Sequence, residues 1–365
     1  MKVGIIGLPQ TGKTSLYNAL TRSQVDLNKY GSTEVNVSVI PVPDPRFDHA
    51  VAMCEPKKIT PAVIEFTEGG ARIEREERQA DKFGADFFVS VRNSEALVFV
   101  IRAFDDSVIP APPEGINPRR EAEKVLEELL LADLMAVEGR LERLEKARSQ
   151  KRQSPAEAAE QQVIAKIKEH LDTFQPVRTL ALTEDEKRSV RGFAFVSGKP
   201  VILVANVGED DAAETLPEIA KPLAEYATEQ GVPFISLCAK VEMEIAQMEP
   251  EEEKEFLEAM GLSAAARDRL IRAAYAALGL VSFFTVGEDE VRAWTITRGT
   301  NAVGAAEKIH SDLARGFIRA EVIGWDEFQS VQGCWDAAKD AGKMHLETKE
   351  YPVKDGDIVH IRFKV

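Results

Sequence analysis

The sequence has little of what secreted and zinc-dependent proteins are built from. Three cysteines stand among 365 residues, Cys54, Cys238 and Cys334, and none forms a CxxC pair. That excludes a disulfide framework and a cysteine zinc cluster, and it fits reduced thiols in a cytosolic protein. Only five histidines occur, with no HExxH, which makes a zinc hydrolase a poor fit. No run of about 18 apolar residues is present, so no membrane-spanning helix is expected. The opening MKVGIIGLPQ is broken by Gly4, Gly7 and Pro9 and carries no small-residue cleavage site, so no signal peptide is expected. Positive charge is also short. The 46 Lys+Arg against 61 Asp+Glu leave a net charge of −15. That argues against nucleic-acid binding over the whole surface but leaves room for a local basic patch. Internal repeats and low-complexity tracts are absent.

What is present describes a folded protein of two or three domains. The content is 44% hydrophobic and 29% charged, as in globular proteins. Short apolar runs at 2–7, 62–66, 96–101, 200–205 and 234–237 are bounded by polar, Gly or Pro residues and read as buried strands. They alternate with helical patterns, which predicts an α/β fold with a parallel-rich sheet covered on both faces.

The texture changes near residue 117. Asn117-Pro118 can start a helix, and Leu134, Val137, Leu141 and Leu144 then repeat at coiled-coil spacing. Ser154-Pro155 starts a second helix, whose Ile164, Ile167 and Leu171 continue the stripe. Two antiparallel helices, 119–150 and 155–173, are predicted as an inserted α-helical coiled-coil hairpin. Their dense Lys, Arg and Glu residues read as a solvated face. A further pair of helices, broken at Gly261 and ending at Gly279, closes the first domain. Beyond residue 281 alternating strand patterns surround one helix, predicted over 302–315, which suggests a small α+β module. The expected organisation is a discontinuous domain of 1–115 and 195–280, an arm of 116–194, and a C-terminal domain of 281–365.

The chemistry lies in GLPQTGKT at 7–14, which fits GxxxxGK[ST] without a mismatch at a strand-to-helix junction. Gly7 and Gly12 let the chain curl so that successive N–H groups point at an anion. The helix that starts near Gly12 adds its positive end. Lys13 reaches the β- and γ-phosphates, and the Thr14 hydroxyl ligates Mg²⁺. Pro9, Gln10, Thr11, Gly12, Lys13, Thr14 and Ser15 are therefore the expected phosphate contacts.

A second element reads the base. The strand at 201–205 leads into Asn206-Val207-Gly208-Glu209, where guanine-specific phosphate-loop proteins place N-K-x-D. Glu209 is one methylene longer than Asp, and Val207 replaces the Lys whose stem would cover the base. Guanine discrimination should be weak, while Asn206 can still bond a purine N7 or an adenine amino group. SLCAK at 236–240 follows the next strand, so Ser236 and Cys238 are candidate base contacts.

GLPQTGKTSLYNALT, PVPDPR (41–46), ANVGE (205–209), RLIRAAYAALGL (269–280), VRAWTITRGT (291–300), HSDLARGFIRAEVI (310–323) and DGDIVHIRFKV (355–365) together resemble the YchF family. These are Obg-related, translation-factor-class phosphate-loop NTPases, and the resemblance spans nearly the whole chain. It implies an NTPase domain, a coiled-coil arm and a C-terminal domain like the TGS, ubiquitin-like module. It also implies a preference for ATP over GTP, with N-x-x-E as the base-reading variant, and association with the ribosome in the cytoplasm.

The catalytic region departs from that family. Its F-V-D-I-A-G corresponds to Phe66-Thr67-Glu68-Gly69-Gly70-Ala71, so Glu68, or Thr67 in a shifted alignment, replaces the Mg²⁺-side Asp. No Gln follows to orient water. Its F-C-T-I-D/E-P-N corresponds to residues 30–36. There Ser32 matches the Mg²⁺-binding Thr, with Thr33 as a substitute, and Gly31 replaces the Cys. Gln10 replaces an Asn that binds potassium in relatives.

The expected activity is slow ATP hydrolysis with Mg²⁺ as cofactor, carried by Lys13, Thr14 and Ser32. The alternatives are a nucleotide-binding module with negligible turnover, or a GTPase. The expected partner is the ribosome or ribosomal RNA, met through the arm and the C-terminal domain by a monomer with no membrane contact. In that domain Lys339, Lys343, Lys349, Lys354, Arg362 and Lys364 could line a face, diluted by Asp340, Glu347, Glu350, Asp355 and Asp357. Trp294, Trp325 and Trp335 read as packing rather than as base-stacking platforms.

Overall fold

The structure, a computed structural model, describes residues 1–23, 36–68, 73–74, 82–83, 85–212, 216–260, 262, 264–332 and 335–364. Strand β1 (Lys2–Ile6) leads into α1 (Lys13–Thr21). Then come β2 (Asn36–Pro41), α2 (Pro45–Cys54), β3 (Lys58–Thr60) and β4 (Val63–Glu68). The short pair β5 (Ile73–Glu74) and β6 (Lys82–Phe83) precedes α3 (Ala85–Asn93) and β7 (Ala96–Ala103). The arm is α4 (Pro118–Ser149) and α5 (Pro155–Asp172), followed by α6 (Glu184–Val190). Strand β8 (Val201–Val207), α7 (Lys221–Glu229), β9 (Phe234–Leu237), α8 (Ala239–Ile245), α9 (Pro250–Ala259) and α10 (Ala266–Ala277) continue the chain. The last part holds β10 (Leu280–Val286), β11 (Glu290–Thr297), α11 (Ala302–Ile309), α12 (Ser311–Arg315) and β12 (Phe317–Ile323). It ends with α13 (Trp325–Ser330), α14 (Trp335–Asp340), β13 (His345–Glu347) and β14 (Ile358–Phe363). No described helix is long and apolar enough to cross a membrane.

The chain divides into two compact units, Met1–Ser38 with Phe66–Arg267 and Val39–Glu65 with Asp268–Val365. The first carries a sheet in the order β2-β4-β1-β7-β8-β9. Its β1, β7, β8 and β9 run parallel. Every residue of β7 and β8 is buried, which is why 96–101 and 201–205 read as unbroken apolar runs, with Arg102 and Asn206 buried just beyond them.

Helix α4 starts where the Asn117 side chain accepts from Arg120 N and Pro118 fills the first helical position. At 32 residues it spans roughly 48 Å. Its first half, through Ala122, Val125, Leu126 and Leu129, joins the core of β7 and β8. Its second half, through Val137 and Leu144, packs with Val163, Ile164, Ile167 and Leu171 of α5. A Ser154–Glu157 capping box starts α5. The expected stripe is thus in place, but residues 116–194 form no unit of their own, because half of α4 belongs to the sheet core. Asp133 locks the returning chain there, accepting from Val196 N, Ser197 N and Ser197 Oγ at 2.9, 2.8 and 2.6 Å.

The second unit has a sheet in the order β13-β12-β14-β10-β11-β3. One face packs on α11, with Phe283, Ile296, Ala302, Ala306 and Val322 in a buried cluster. Another cluster is aromatic. Phe284 meets Phe47 and Trp325, Trp325 meets Phe328, Phe328 meets Trp335, and Trp335 meets His360, all between 6.0 and 6.3 Å. Trp294 stacks on Phe283 at 6.3 Å and donates to Thr285 Oγ1, with the Arg292 guanidinium 3.9 Å above its ring.

Two expectations differ from what is found. Residues 39–65 and 268–280 group with the C-terminal residues rather than with the phosphate-loop domain. The reason is that β3 pairs parallel with β11, and Tyr275 of α10 hydrogen-bonds Ser282 of β10 at 2.9 Å. The helix expected over 302–315 is two. His310 is extended (φ −164°, ψ 141°) and its Nδ1 caps α12 by accepting from Asp312 N. The PVPDPR segment is structural as well: Asp44 caps α2, and Arg46 pairs with both Asp44 and Asp355.

Candidate nucleotide site

The loop between β1 and α1 has the curl that the glycine spacing implies. Gln10 and Gly12 both have positive φ, 64° and 93°. A Cβ on Gly7 would strike the Val100 carbonyl, and one on Gly12 would strike Asn206 Nδ2, so both positions require glycine. Among the described residues no side chain caps the start of α1 at Gly12, and the N–H groups of such a helix end suit an anion. Thr11 is buried and donates to Leu8 O, while Pro9 and Gln10 are exposed at the rim and Ser15 is half-buried. Lys13 Nζ donates to Leu8 O at 2.7 Å, holding the ammonium across the loop. Burial brings the Lys13 ammonium down to about 8, against the charges of Glu68 and Glu121, which pull it up.

Thr14 Oγ1 donates to Glu68 Oε1 at 2.6 Å. Asn36, the first residue of β2, donates from Nδ2 to Glu68 Oε2 at 2.9 Å. Thr67 turns instead toward Val3 O, so of the two candidate Mg²⁺-side residues it is Glu68 that stands at Thr14. A hydroxyl and a carboxylate in contact are hard oxygen donors. That set fits Mg²⁺, which takes one or two protein oxygens together with phosphate oxygens and water. Ser32, Thr33 and residues 69–72, where the rest of the catalytic region is expected, lie outside the described residues.

At the base end Asn206 acts as a clamp. Its Nδ2 donates to Thr11 O and its Oδ1 accepts from Ala239 N, both at 2.9 Å. One amide thereby ties the phosphate loop to the start of α8. Contact with a purine would fall to its second Nδ2 hydrogen or to the second lone pair of Oδ1. Val207 ends β8 and is buried. Glu209 pairs with Lys240 at 2.5 Å. Ser236 lies inside β9 with its buried Oγ unpartnered among the described residues, and Cys238 is buried at the cap of α8.

The sequence reading missed Glu121. It sits in the first turn of α4, and its Oε1 is buried with no hydrogen-bond partner among the described residues. Burial pushes its carboxyl up to about 8, against the opposing pull of Lys13, the Arg102 backbone, and the Arg102 and Lys124 charges. The Arg102 side chain binds three carbonyls, of Phe104, Ile109 and Pro110, and so pins the loop that leads to α4. Asn36 was equally hidden. It belongs to a segment of recognisable pattern, but only the fold brings it to Glu68.

The chain is similar to known proteins along its whole length. The family profile YchF-GTPase_C, described as a protein of unknown function (DUF933), matches residues 280–364. A Bacillus subtilis protein named ribosome-binding ATPase YchF is 38% identical over 369 residues, covering 100% of both chains. A protein of the same name from Escherichia coli O157:H7 is 36% identical over 367 residues, covering 100% of this chain and 99% of that one. The solved structure of the Schizosaccharomyces pombe YchF GTPase superposes with a TM-score of 0.85 at 30% identity, covering 99% of this chain and 97% of that one.

Proposed function

The chain belongs to the YchF family, and on that premise we propose that it binds ATP with Mg²⁺, hydrolyses it slowly, and acts as a nucleotide-dependent switch on the ribosome in the cytoplasm. The observation that supports this best is the loop itself: Lys13 lies across a curl of main-chain amides, with Thr14 and Glu68 in contact beside it. In this reading Lys13 shifts its hydrogen bond from Leu8 O to a phosphate oxygen. The amides of 9–15 bind the β-phosphate, and Ser32 supplies a second hydroxyl. Mg²⁺, when bound, spreads the charge that develops on the transferring phosphoryl group. Gly69-Gly70-Ala71-Arg72 offers no Gln to orient water, which accounts for slow turnover. Val207 and Glu209, in place of the guanine-reading Lys and Asp, support ATP over GTP.

Docking of a monomer onto ribosomal RNA would fall to the arm tip and the C-terminal domain. Arg143, Lys146, Arg148, Lys151 and Arg152 are all exposed at the α4–α5 turn of an otherwise acidic protein. The C-terminal face is weaker, since Arg362 is paired with Glu321. Phosphate release by the purified protein, with and without ribosomes, tests the reading. Turnover should exceed that of Lys13→Ala and rise with ribosomes. Turnover equal to that of Lys13→Ala, with ATP still bound, would favour a binding module with negligible hydrolysis. The replacement of Asp by Glu68 is the feature on that side. Unlabelled GTP displacing labelled ATP about tenfold better than ATP itself, about 1.4 kcal/mol, would make it a GTPase, as the fission-yeast relative is named.

A further inference from the structure

We propose that Asn36 is a positioning residue for Glu68, holding one carboxylate oxygen so that the other stays at Thr14 and the divalent-cation side of the site is aligned. The inference rests on the reading of the loop as a Mg²⁺–nucleotide site.

Glu68 has one more rotatable bond than the Asp that the resemblance leads one to expect, so its carboxylate has more ways to point. It is nonetheless buried, at 9% exposure, with each oxygen on its own donor. A single hydrogen bond from Thr14 would leave the group free to swing about that contact. The second bond, from Asn36 to the opposite oxygen, fixes its plane as well as its distance. The donor comes from a strand, since Asn36 opens β2 and β2 is next to β4 in the sheet. Its chemistry also suits the task. A lysine or arginine at 36 would neutralise the carboxylate and compete with a cation, whereas a neutral amide orients it and leaves its charge in place.

The test separates metal from nucleotide. A fluorescent non-hydrolysable ATP analogue is titrated against the full-length protein in EDTA and again across a Mg²⁺ series. The variants are Asn36→Ala, the near-isosteric non-donor Asn36→Leu, Glu68→Ala, and Asn36→Ala with Glu68→Ala. Both Asn36 variants should raise the Mg²⁺ midpoint about tenfold while changing affinity in EDTA by less than about twofold. Glu68→Ala should raise it at least as far, and the double variant should add nothing further, because Asn36 acts only through Glu68. An unchanged midpoint in both Asn36 variants overturns the proposal. So does an equal loss with and without Mg²⁺, or additivity in the double variant. A wild-type protein whose affinity does not respond to Mg²⁺ sinks the Mg²⁺–nucleotide reading itself, and the proposal with it. A responsive wild type beside Asn36 variants that share its midpoint sinks the proposal alone.

Discussion

Two carboxylates flank the phosphate loop, and they are treated differently. Glu68, at the end of β4, has a donor on each oxygen. Glu121, in the first turn of α4, has one oxygen sealed from solvent and without a donor among the described residues. Leaving such a group unanswered costs about 1–3 kcal/mol, more if it is charged. The two regions therefore differ in what they contribute. In the proposed function the β4 flank is the side that meets the cation, with its carboxylate oxygens fixed by two donors. The α4 flank is held close to the neutral form, beside an ammonium that burial brings down to about 8. The same chain also answers a third carboxylate completely, at Asp133, which gives the contrast a reference point.

The largest effect expected from breaking this contrast is at that reference. Asp133 is 4% exposed and accepts from two backbone N–H groups and a hydroxyl. Asp133→Ala strands all three donors in the interior and should lower unfolding free energy by about 3 kcal/mol. Asp133→Asn keeps one acceptor and should lose roughly half of that. Urea denaturation followed by circular dichroism measures both. A loss under about 1 kcal/mol for the alanine variant would show that water satisfies those donors and that the lock at the root of the arm is weak.

The second effect has the opposite sign. The Glu121 carboxyl is raised from 4.5 to about 8, by burial first, with Lys13, Arg102 and Lys124 as the charges that oppose the rise. An unfolded chain releases this proton near pH 4.5, whereas the folded chain keeps it until about pH 8. Folded protein thus holds more protons across that window, and the group's contribution to stability falls as pH rises through it. Glu121→Gln removes the penalty. The variant should match wild type near pH 4 and exceed it by about 2 kcal/mol near pH 8, less than the full shift because Lys13 loses a favourable neighbour. Thermal melts across that range would measure it, and a difference that does not change with pH would place the carboxyl in water.

What the sequence made legible was local. GLPQTGKT announces its own curl. Asn117-Pro118 and Ser154-Pro155 announce the starts of α4 and α5, since caps and coiled-coil stripes are written within a few residues. The contacts that complete the site are written across the chain. Asn36 and Glu68 are 32 residues apart, and Asn206 and Thr11 are 195. Asn206 looked like a base reader because its position after a buried strand is shared by that role, yet much of its hydrogen bonding goes to holding two loops together. Glu121 looked like one more charge on a solvated helix. Only the docking of the first half of α4 onto β7 and β8 makes it an interior group. The break at His310 was hidden for a related reason: the helical pattern persists through 302–315, and the capping ring signals a restart only once its backbone is seen to be extended.

The smallest expected effect sharpens the contrast by looking where nothing is buried deeply. On the arm, Arg140 of α4 makes two parallel bonds to Glu160 of α5, both at 2.9 Å, with side-chain exposures of 27% and 17%. This carboxylate is answered as fully as Glu68, but water reaches both partners. Its geometry is the favourable two-point kind, and its surroundings screen most of the gain. A double-mutant cycle of Arg140→Ala and Glu160→Ala, read by urea denaturation, should give a coupling of about 0.5–1 kcal/mol that shrinks with added salt. A coupling above about 2 kcal/mol, unmoved by salt, would mean that the arm interface is dry and that exposure is a poor guide to which carboxylates matter here. A coupling near zero would leave the apolar stripe of Val137, Leu144, Ile164 and Ile167 to hold the two helices together.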